Sequence, residues 1–492
     1  MIMKKIALAV LGLSCVAGSF ACSTIIVGKQ VSADGSIIVA RNEDGSKGNH
    51  PVHYVRHPAM EKGYLFQSAQ TAKFTYQMPD HLLAYTGMPD FDGKNKSYEE
   101  IGTNSAGVTM SATETIYSSD KALKADPYVA DTGITESEVT SILLPQMHSA
   151  REGVQILGHI IDTIGSAEGF GIAFVDHNEA WYLENGGGHQ WVAIRIPDNQ
   201  YFVSANQGRI HQVDLNDGAN VMHSANLVDV AVKNGLATAP TDGKFNFFAA
   251  YTQDVANDVT YNYRRVWTMQ QLFTPSFKSD SYKDGNAPMF LAPDHKLSVA
   301  DVESALQNHY QGQGAEFDPY STNNPKTQYR PISVFRAQES HVVSIRANVP
   351  APIAAVQNTL LGMTALGIYV PLYQGATIPK AYQLGTDQAD NDSAWWKFRK
   401  LQTLVMQNFP KYSPQVKDAY AKLADDIRAQ QAKFEPEYIK VYAKNPKRAQ
   451  KMLDDFTNHT VEQVFALTDQ LTNSVMSQLS SDVSEQWLFE GA

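Results

Sequence analysis

The sequence predicts an α+β fold in which antiparallel sheets are covered by helices, and three observations support it. Short β-branched runs bounded by turn residues recur between residue 22 and about residue 385. Helical spacing intervenes at residues 136–165, where Pro145 is expected to break the helix. From about residue 390 the chain becomes rich in Lys, Gln, Asp and Ala. We therefore expect a main domain at residues 22–385 and a helical extension at residues 386–492 that packs on it.

Three β-hairpins are expected in the main domain. The runs "CSTIIVG" and "SIIVARN" flank Asp34-Gly35, which is a good hairpin turn signal. The segment "GIAFVDHNEAWYLE" repeats this pattern with Asp176-His177-Asn178 as its turn. The segment "WVAIRIPDNQYFVSANQ" does so again around Pro197-Asp198-Asn199.

Long helices are expected in the extension. Ser413-Pro414 fits an N-cap followed by a first helical residue, and Asn445-Pro446 opens a second helix in the same way. Residues that are nearly all apolar then recur on one helical face in each segment. They are Val416, Leu423, Ile427 and Phe434 in the first, and Val461, Val464, Phe465, Thr468, Leu471 and Val475 in the second.

Residues 1–21 have the features of a secretory signal peptide. Two lysines precede an apolar segment at residues 6–16, which is too short to span a bilayer comfortably. Small residues occupy the positions that a signal peptidase inspects before Cys22. We expect export to the periplasm or the extracellular medium, with Cys22 first in the mature chain. The sequence leaves open whether a signal peptidase or the chain itself makes the cut.

The charge balance excludes two classes of partner. The chain has 40 basic and 51 acidic residues, a formal net charge of −11, so neither nucleic acid nor an anionic membrane surface is expected to bind it. The apolar stretch Ala351 to Val370 begins near Pro352 and is interrupted by polar residues. We expect it to be buried core, and thus no stable membrane insertion once the leader is removed. A homo-oligomer remains possible.

Cys22 would be the only cysteine of the mature chain, because Cys15 leaves with the leader. No disulfide can then form within the chain. A thiol beside a free α-amine combines a nucleophile with a base, since the amine titrates at about 7.7–8 and the thiol at about 8.5. The amine can accept the thiol proton directly or through one water. An inert core cysteine and a lipid-anchored binding protein acylated at Cys22 are the alternatives, although Ser19 stands where a lipoprotein usually has a Leu-like residue.

The fourteen histidines show no pairing and no metal-like spacing. Arg41 and Asp44 lie on the second strand of the first hairpin, which pairing can bring beside Cys22. Arg41 would favour the thiolate by its charge, and Asp44 would orient the α-amino group. On residue types alone, a surface charge cluster in a turn is the alternative.

A leading Cys, a hairpin and Arg-Asn-x-Asp together resemble the N-terminal nucleophile hydrolases of the choloylglycine hydrolase and penicillin V acylase type. The chain is more similar to a sister group, the bacterial cysteine dipeptidases typified by dipeptidase A. The motifs that carry this resemblance, in family order, are "CSTIIVGKQVSADGSIIVARNED", "GTNSAGVTMSATETIY", "EAWYLENGGGHQWVAIRIPDNQYFVSANQGRI", "NYRRVW", "YRPISVFRAQESHVV" and "GIYVPLYQG". The resemblance implies a four-layer αββα sandwich and dipeptide hydrolysis through a thioester on the N-terminal cysteine. It implies no metal and no cofactor.

The resemblance also implies roles for single residues. Cys22 matches the nucleophile, and Arg41 and Asp44 match the Arg and Asp beside it. Asn206 matches an Asn whose side-chain amide helps to form the oxyanion hole, where each donor is typically worth ~10²–10³ in rate. Arg265 is the best match for a second active-site arginine, with its neighbour Arg264 as the alternative.

Glu114 marks a departure from the acylases. Where bile-salt and penicillin acylases carry a further oxyanion Asn, this sequence has Thr113-Glu114, so the second oxyanion donor is not identified. A carboxylate suits the ammonium group of a dipeptide better than an acyl chain. Glu114 is therefore expected to bind substrate, and an acylase of N-acyl or bile-salt-like amides is the alternative enzyme.

Overall fold

The computed structural model describes residues 22–45, 48–68, 73–89, 99–253, 255–322 and 327–489. The predicted leader, residues 1–21, lies outside the described residues. The strands, numbered in chain order, are β1 (Ser23–Val27), β2 (Ile37–Asp44), β3 (Val55–His57), β4 (Leu65–Gln67), β5 (Thr75–Gln77), β6 (Tyr85–Pro89), β7 (Glu99–Asn104), β8 (Thr109–Thr115), β9 (Phe170–Val175), β10 (Ala180–Asn185), β11 (Trp191–Arg195), β12 (Tyr201–Ser204), β13 (Gln212–Asp214), β14 (Val221–His223), β15 (Lys244–Asn246), β16 (Phe290–Leu291), β17 (Ala337–Ile345), β18 (Ala355–Leu361) and β19 (Val370–Tyr373).

The α-helices are α1 (Asp120–Ala125), α2 (Glu136–Leu143), α3 (Ala150–Thr163), α4 (Leu227–Lys233), α5 (Phe247–Tyr251), α6 (Arg264–Phe273), α7 (Val299–Leu306), α8 (Ala394–Val405), α9 (Phe409–Tyr442) and α10 (Pro446–Gln486). A π-helical turn, Val259–Tyr263, leads into α6. The predicted break at Pro145 is confirmed, because that residue lies between α2 and α3.

Two large antiparallel sheets organise the strands, as the sequence predicts. In the described part of the chain, the first sheet has seven strands in the order β16-β12-β1-β2-β17-β18-β19. The second has eight, in the order β14-β11-β10-β9-β8-β7-β6-β3. Two further sheets of two strands each, β4-β5 and β13-β15, are separate from them. The structure is thus α+β, with a helical region at its C-terminal end.

Alternate residues of the first sheet belong to different hydrophobic cores. Ile26 of β1 and Val39 of β2 share one buried core with Ala173 and Val192 of the second sheet. Their neighbours on the opposite face, such as Ile25, pack with residues of α6 and α7 in another core. This separation follows from the period of two along a strand. The other face of the second sheet packs on α2 and α3.

Two of the three predicted hairpins are confirmed. Strand β1 pairs with β2, and β9 pairs with β10. Gly35 in the first turn has φ 78°, in the left-handed region that glycine tolerates best.

The third predicted hairpin is wrong, because β11 lies in the second sheet and β12 lies in the first. The chain crosses between the sheets at residues 196–200, where the carbonyl oxygens of Asp198 and Gln200 accept hydrogen bonds from Gln30 and Gly28. Both strands are buried on both faces, and each finds its neighbours elsewhere: β11 pairs with β10 and β14, and β12 with β1 and β16. A Pro-Asp-Asn turn suits a crossover as well as a hairpin.

The C-terminal helices form an antiparallel pair on the main body. Side chains join α9 to α10 along their length, as in the 2.8 Å hydrogen bond between Tyr420 and Thr468. Asn445 caps α10 as predicted, since its side chain accepts a hydrogen bond from the Arg448 amide at 3.1 Å. The predicted apolar faces of both helices are largely buried.

The predicted start of α9 at Ser413-Pro414 is wrong. The helix begins earlier, at Phe409, because the Asn408 side chain caps the Lys411 amide at 3.3 Å. Pro414 therefore lies inside the helix, where its missing N–H removes one backbone hydrogen bond.

Most of the apolar stretch from Ala351 to Val370 is buried, as predicted, and it contains β18. Among the residues that the structure covers, no helix has both the length and the apolar character needed to cross a membrane.

Candidate active site

Cys22 immediately precedes β1 and is fully buried. Its Sγ donates a hydrogen bond to Oε1 of Glu43 on β2 at 3.2 Å. The pairing of Ser23 with Asn42 explains this contact, since Glu43 is the next residue opposite Cys22 in an antiparallel register. The first hairpin thus places a carboxylate against the candidate nucleophile.

Arg41 ties this hairpin to the second sheet. It lies opposite Thr24 on β1, and its Nη2 is 2.5 Å from Oε2 of Glu43. The same nitrogen is 2.9 Å from Oε2 of Glu100 on β7. Burial alone would lower the pKa of Arg41, but the facing carboxylates outweigh it and raise the pKa above its usual value. Arg41 is therefore a permanent cation between the two sheets.

The surroundings of Cys22 favour the neutral thiol in the uncleaved chain. Burial is the largest cause that raises the pKa of Cys22, and the negative charge of Glu43 raises it further. Arg41 lowers the pKa, which is the direction that the sequence predicts, but it does not prevail. The site needs a base or a change of charge before the thiolate can form.

Arg265 on α6 contacts the backbone of Cys22. Its Nη1 donates to the Cys22 carbonyl oxygen, and also to Oγ of Ser23 at 2.9 Å. Arg264 is directed elsewhere: it donates to Gln313 at 2.6 Å and its guanidinium lies 3.5 Å from the centre of the Phe317 ring. The structure thus places Arg265, rather than Arg264, at the candidate nucleophile.

Asn206 follows β12 and is joined to the same arginine. Its Oδ1 accepts a hydrogen bond from Nη2 of Arg265 at 3.0 Å, and Asn262 accepts another from that nitrogen at 2.6 Å. Because Oδ1 faces a guanidinium, the other amide atom is Nδ2, a hydrogen-bond donor, and a donor is what an oxyanion hole requires. Its role there stays a prediction.

Glu184 on β10 holds the segment that follows Asn206. Its two carboxylate oxygens accept hydrogen bonds from the backbone amides of Arg209 and Ile210, at 2.7 and 3.2 Å. Burial raises the pKa of Glu184 to about 7, although these amides favour the charged form. The loop carrying Asn206 is therefore anchored to the second sheet.

Glu114 reaches the first sheet from β8. Its Oε1 accepts a hydrogen bond from Oγ1 of Thr24 at 2.6 Å, and the side chain is buried. Burial is the main cause that raises its pKa, against the opposing charges of Arg41 and Arg265. Its Oε2 is buried and has no hydrogen-bond partner among the residues that the structure describes. A cation brought by a substrate could satisfy that oxygen.

Asp44 lies on the opposite face of β2 from Arg41 and Glu43, since strand residues alternate. Its Oδ2 pairs with the guanidinium of Arg330, and both residues are buried. The predicted contact between Asp44 and the α-amino group of Cys22 stays a prediction.

Sequence reasoning missed several residues of this site. Glu43 occupies the unspecified position of the Arg-Asn-x-Asp motif, and Glu100 precedes the "GTNSAGVTMSATETIY" segment. Arg330 lies in the quoted segment "YRPISVFRAQESHVV". Burial lowers the pKa of Arg330, and the charge of Arg336 adds to this, whereas the Cys22 thiol group acts in the opposite direction. Their positions in or beside the motifs could have drawn attention to these residues. Their contacts, however, follow from the pairing of the strands, which the sequence does not give.

A buried histidine lies close by without taking part in a Cys-His pair. His341 on β17 is opposite Arg41 in the sheet register. Its two ring nitrogens lie 2.9 Å from Oγ of Ser111 and 2.8 Å from Oε1 of Glu339. Within the described ranges, no group of three or more His, Cys, Asp or Glu side chains is arranged to hold a metal ion.

Comparison with known proteins identifies the family. Residues 21–422 match peptidase family C69. The chain belongs to this family. It is therefore a peptidase of the cysteine type, and the family resemblance predicted from the sequence motifs is confirmed.

Several named relatives cover most of the chain. A "Probable dipeptidase" of Salmonella dublin is 50% identical over 368 residues, which are 75% of this chain and 83% of the relative. "Dipeptidase A" of Lactobacillus helveticus is 30% identical over 467 residues, which are 91% of this chain and 96% of the relative. A solved structure of a mutant conjugated bile acid hydrolase from Clostridium perfringens matches 69% of this chain and 89% of its own, with 13% identity and a TM-score of 0.32. A TM-score of this size is too low to support a conclusion about the fold.

Proposed function

We propose that this protein is an exported dipeptidase that uses Cys22 as an N-terminal nucleophile after residues 1–21 are removed. The observation that carries the proposal is the position of Cys22: it follows the predicted cleavage site, and it is bonded by Arg265 and Glu43. The names of the relatives support dipeptides as the substrates. The periplasm or the extracellular medium is the proposed location.

The proposed first step forms a thioester. The α-amine of Cys22 takes the thiol proton, and the thiolate attacks the carbonyl carbon of the peptide bond. The carbonyl oxygen becomes negatively charged, and the Nδ2 of Asn206 is proposed to donate to it. The C–N bond then breaks, and the leaving amine takes the proton from the Cys22 ammonium group.

The proposed second step hydrolyses the thioester. Water attacks the acyl carbon while the α-amine of Cys22 accepts one of its protons. The C–S bond breaks and the sulfur takes that proton back from the ammonium group. The first amino acid leaves as its carboxylic acid and releases its remaining proton to solvent, which gives the carboxylate. Arg265 positions both Cys22 and Asn206 throughout, and Glu114 contributes to binding the charged amino group of the dipeptide.

We further propose that the two sheets and their flanking helices form the four-layer αββα sandwich of the N-terminal nucleophile hydrolases. The core shared by residues of both sheets supports this layering, and so do the separate cores that each sheet forms with helices. Helices α8 to α10 would be an addition to it.

The decisive experiment is hydrolysis of a substrate panel by the mature protein, with its N-terminus verified by intact mass. We expect cleavage of dipeptides, and weak or no cleavage of tripeptides and N-acyl amino acids. Preferential cleavage of the N-acyl compounds would make the protein an acylase. A diacylated Cys22 in the exported protein would make it a lipid-anchored binding protein instead, because acylation consumes both the thiol and the amine.

A further inference from the structure

We propose that Glu43 binds the free α-ammonium group of the substrate beside the sulfur of Cys22, and so makes the site selective for peptides with an unblocked N-terminal residue. This proposal rests on the proposed function, since it takes Cys22 as the attacking group. It assigns a specificity-determining role to a residue that the motif leaves unspecified.

The covalent structure of a dipeptide decides where its ammonium must lie. The nitrogen is bonded to the carbon next to the carbonyl that sulfur attacks, so in the covalent intermediate it lies roughly 3 to 4 Å from Sγ. Oε1 of Glu43 is 3.2 Å from that sulfur. A carboxylate so close to the sulfur is within hydrogen-bonding reach of the ammonium.

Glu114 is placed to share this cation but lies farther along the strand. It bonds to Thr24, two residues beyond Cys22, which corresponds to roughly 6 to 7 Å along an extended chain. An ammonium group has three donors and can bond to both carboxylates. Glu43 is the one at the reacting atom, with Glu114 as the second acceptor.

The local charge balance also favours a cation. Among the described side chains around Cys22, the carboxylates of Glu43, Glu100 and Glu114 face the guanidiniums of Arg41 and Arg265, and the ion pair of Asp44 with Arg330 adds no net charge. Arg265 is already bonded to the Cys22 carbonyl oxygen, Ser23 and Asn206. A substrate ammonium would balance the surplus negative charge of this buried cluster.

Recognition by Glu43 has a consequence for the nucleophile. The negative charge of Glu43 disfavours the thiolate. A substrate ammonium bonded to Glu43 offsets that charge, so the sulfur ionises more readily when the correct substrate is present. A blocked peptide loses the contact and leaves this barrier to ionisation in place. Selectivity should therefore appear in kcat as well as in KM.

The first test compares a dipeptide with its analogue that lacks only the α-amino group, using the mature protein. We expect wild type to prefer the dipeptide in kcat/KM, and Glu43→Gln to reduce this preference by about 10- to 100-fold, the range for a hydrogen bond to a charged group. Glu100→Gln is the matched control, because Glu100 bonds to Arg41 but is not the carboxylate at Sγ. Glu100→Gln should lower kcat/KM for the dipeptide and for its analogue by the same factor. An unchanged preference in a folded Glu43→Gln protein would overturn the proposal.

A second test does not require turnover. Phenylalanine chloromethyl ketone carries an ammonium beside the carbonyl that faces the sulfur, and its counterpart without the amino group does not. The rate at which each reagent alkylates Cys22 is monitored by intact mass. In wild type this rate should be higher with the amine-bearing reagent, and the preference should be lost in Glu43→Gln. A preference that persists in Glu43→Gln would overturn the role of Glu43. Failure of wild type to cleave any dipeptide would instead count against the proposed function, and labelling would still decide on Glu43.

Discussion

Nη2 of Arg265 lies 3.0 Å from Oδ1 of Asn206, while Nη1 of the same guanidinium donates to the carbonyl oxygen of Cys22. One planar side chain therefore positions the candidate nucleophile and the candidate oxyanion donor at once. A lysine has a single nitrogen and cannot reproduce such a forked arrangement.

We predict that Arg265→Lys lowers kcat/KM by about 10²-fold or more, because the Cys22 carbonyl and the Asn206 amide lose their common donor. Arg264→Lys is the matched control: it makes the same change one residue earlier, where the contacts are Gln313 and Phe317. It should change kcat/KM no more than a few-fold. Steady-state kinetics on one dipeptide test both, and equal losses would show that the arginine at Cys22 has been misassigned.

We predict that Asn206→Ala lowers kcat by about 10²–10³-fold with a smaller change in KM. An oxyanion donor bonds the transition state more strongly than the ground-state carbonyl. The measurement is the separate determination of kcat and KM on a good dipeptide substrate. An effect confined to KM would make Asn206 a residue that positions substrate.

The sequence predicted those parts of the fold whose conformation depends on a few neighbouring residues. Asp34-Gly35 specifies a hairpin, and Asn445-Pro446 specifies a helix start, because the backbone there depends on nearby residues alone. The hairpin predicted at Pro197 is wrong because turn residues do not determine whether the next strand joins the same sheet. The helix start predicted at Ser413-Pro414 is wrong because Asn408, an equally good N-cap residue, lies a few residues earlier in the chain.

Site residues that match a motif position with a known role could be predicted from the sequence. Site residues that are placed only by the register of the strands could not. Cys22, Arg265 and Asn206 converge as expected. Glu43 contacts Cys22 because β1 pairs with β2 in one particular register, which no single residue encodes. Arg330 meets Asp44 across a sequence separation of 286 residues, beyond the reach of any local pattern.

We predict that the thiol of Cys22 titrates at higher pH in the folded, uncleaved chain than in the unfolded chain. Burial and Glu43 both raise its pKa, so the neutral thiol persists to higher pH. The measurement is the rate of iodoacetamide alkylation against pH, on an uncleaved chain carrying Cys15→Ser so that Cys22 is the only thiol. The unfolded chain should give a midpoint near 8.5.

The control is the same uncleaved chain with Glu43→Gln. Because Glu43 raises the pKa of Cys22, this change should lower the pH midpoint of alkylation in the folded chain. A folded midpoint at or below the unfolded one would contradict the account of the site's electrostatics.

We predict that Glu303 on α7 makes the protein lose stability as the pH rises from about 5 to above 8. Burial raises the pKa of Glu303 to about 8, although Arg428 on α9 lies 3.3 Å away and opposes this. A raised folded pKa means that the native state holds a proton which the unfolded state has released. The associated stability is present below the unfolded pKa and is lost as pH rises through about 8.

Thermal unfolding at several pH values tests this prediction. Glu303→Gln should show a smaller fall in Tm over that range than wild type. Glu437→Gln, which alters an exposed carboxylate paired with Lys440, should follow wild type. Parallel curves for Glu303→Gln and wild type would show that Glu303 does not hold the proton.

We propose that the free α-amine of Cys22 is the base that accepts the thiol proton. Comparison of the uncleaved chain with the chain that begins at Cys22 tests this most directly. Both forms contain the thiol, Arg41, Arg265 and Asn206, so the amine and the leader are what distinguish them. Each N-terminus is verified by mass, and a dipeptide is assayed at neutral pH with Cys22→Ala as the blank. We predict activity for the trimmed form alone, and its appearance when a protease exposes Cys22 in the uncleaved chain. Equal activity of the two forms would contradict the account, because an amide nitrogen cannot accept the thiol proton at neutral pH.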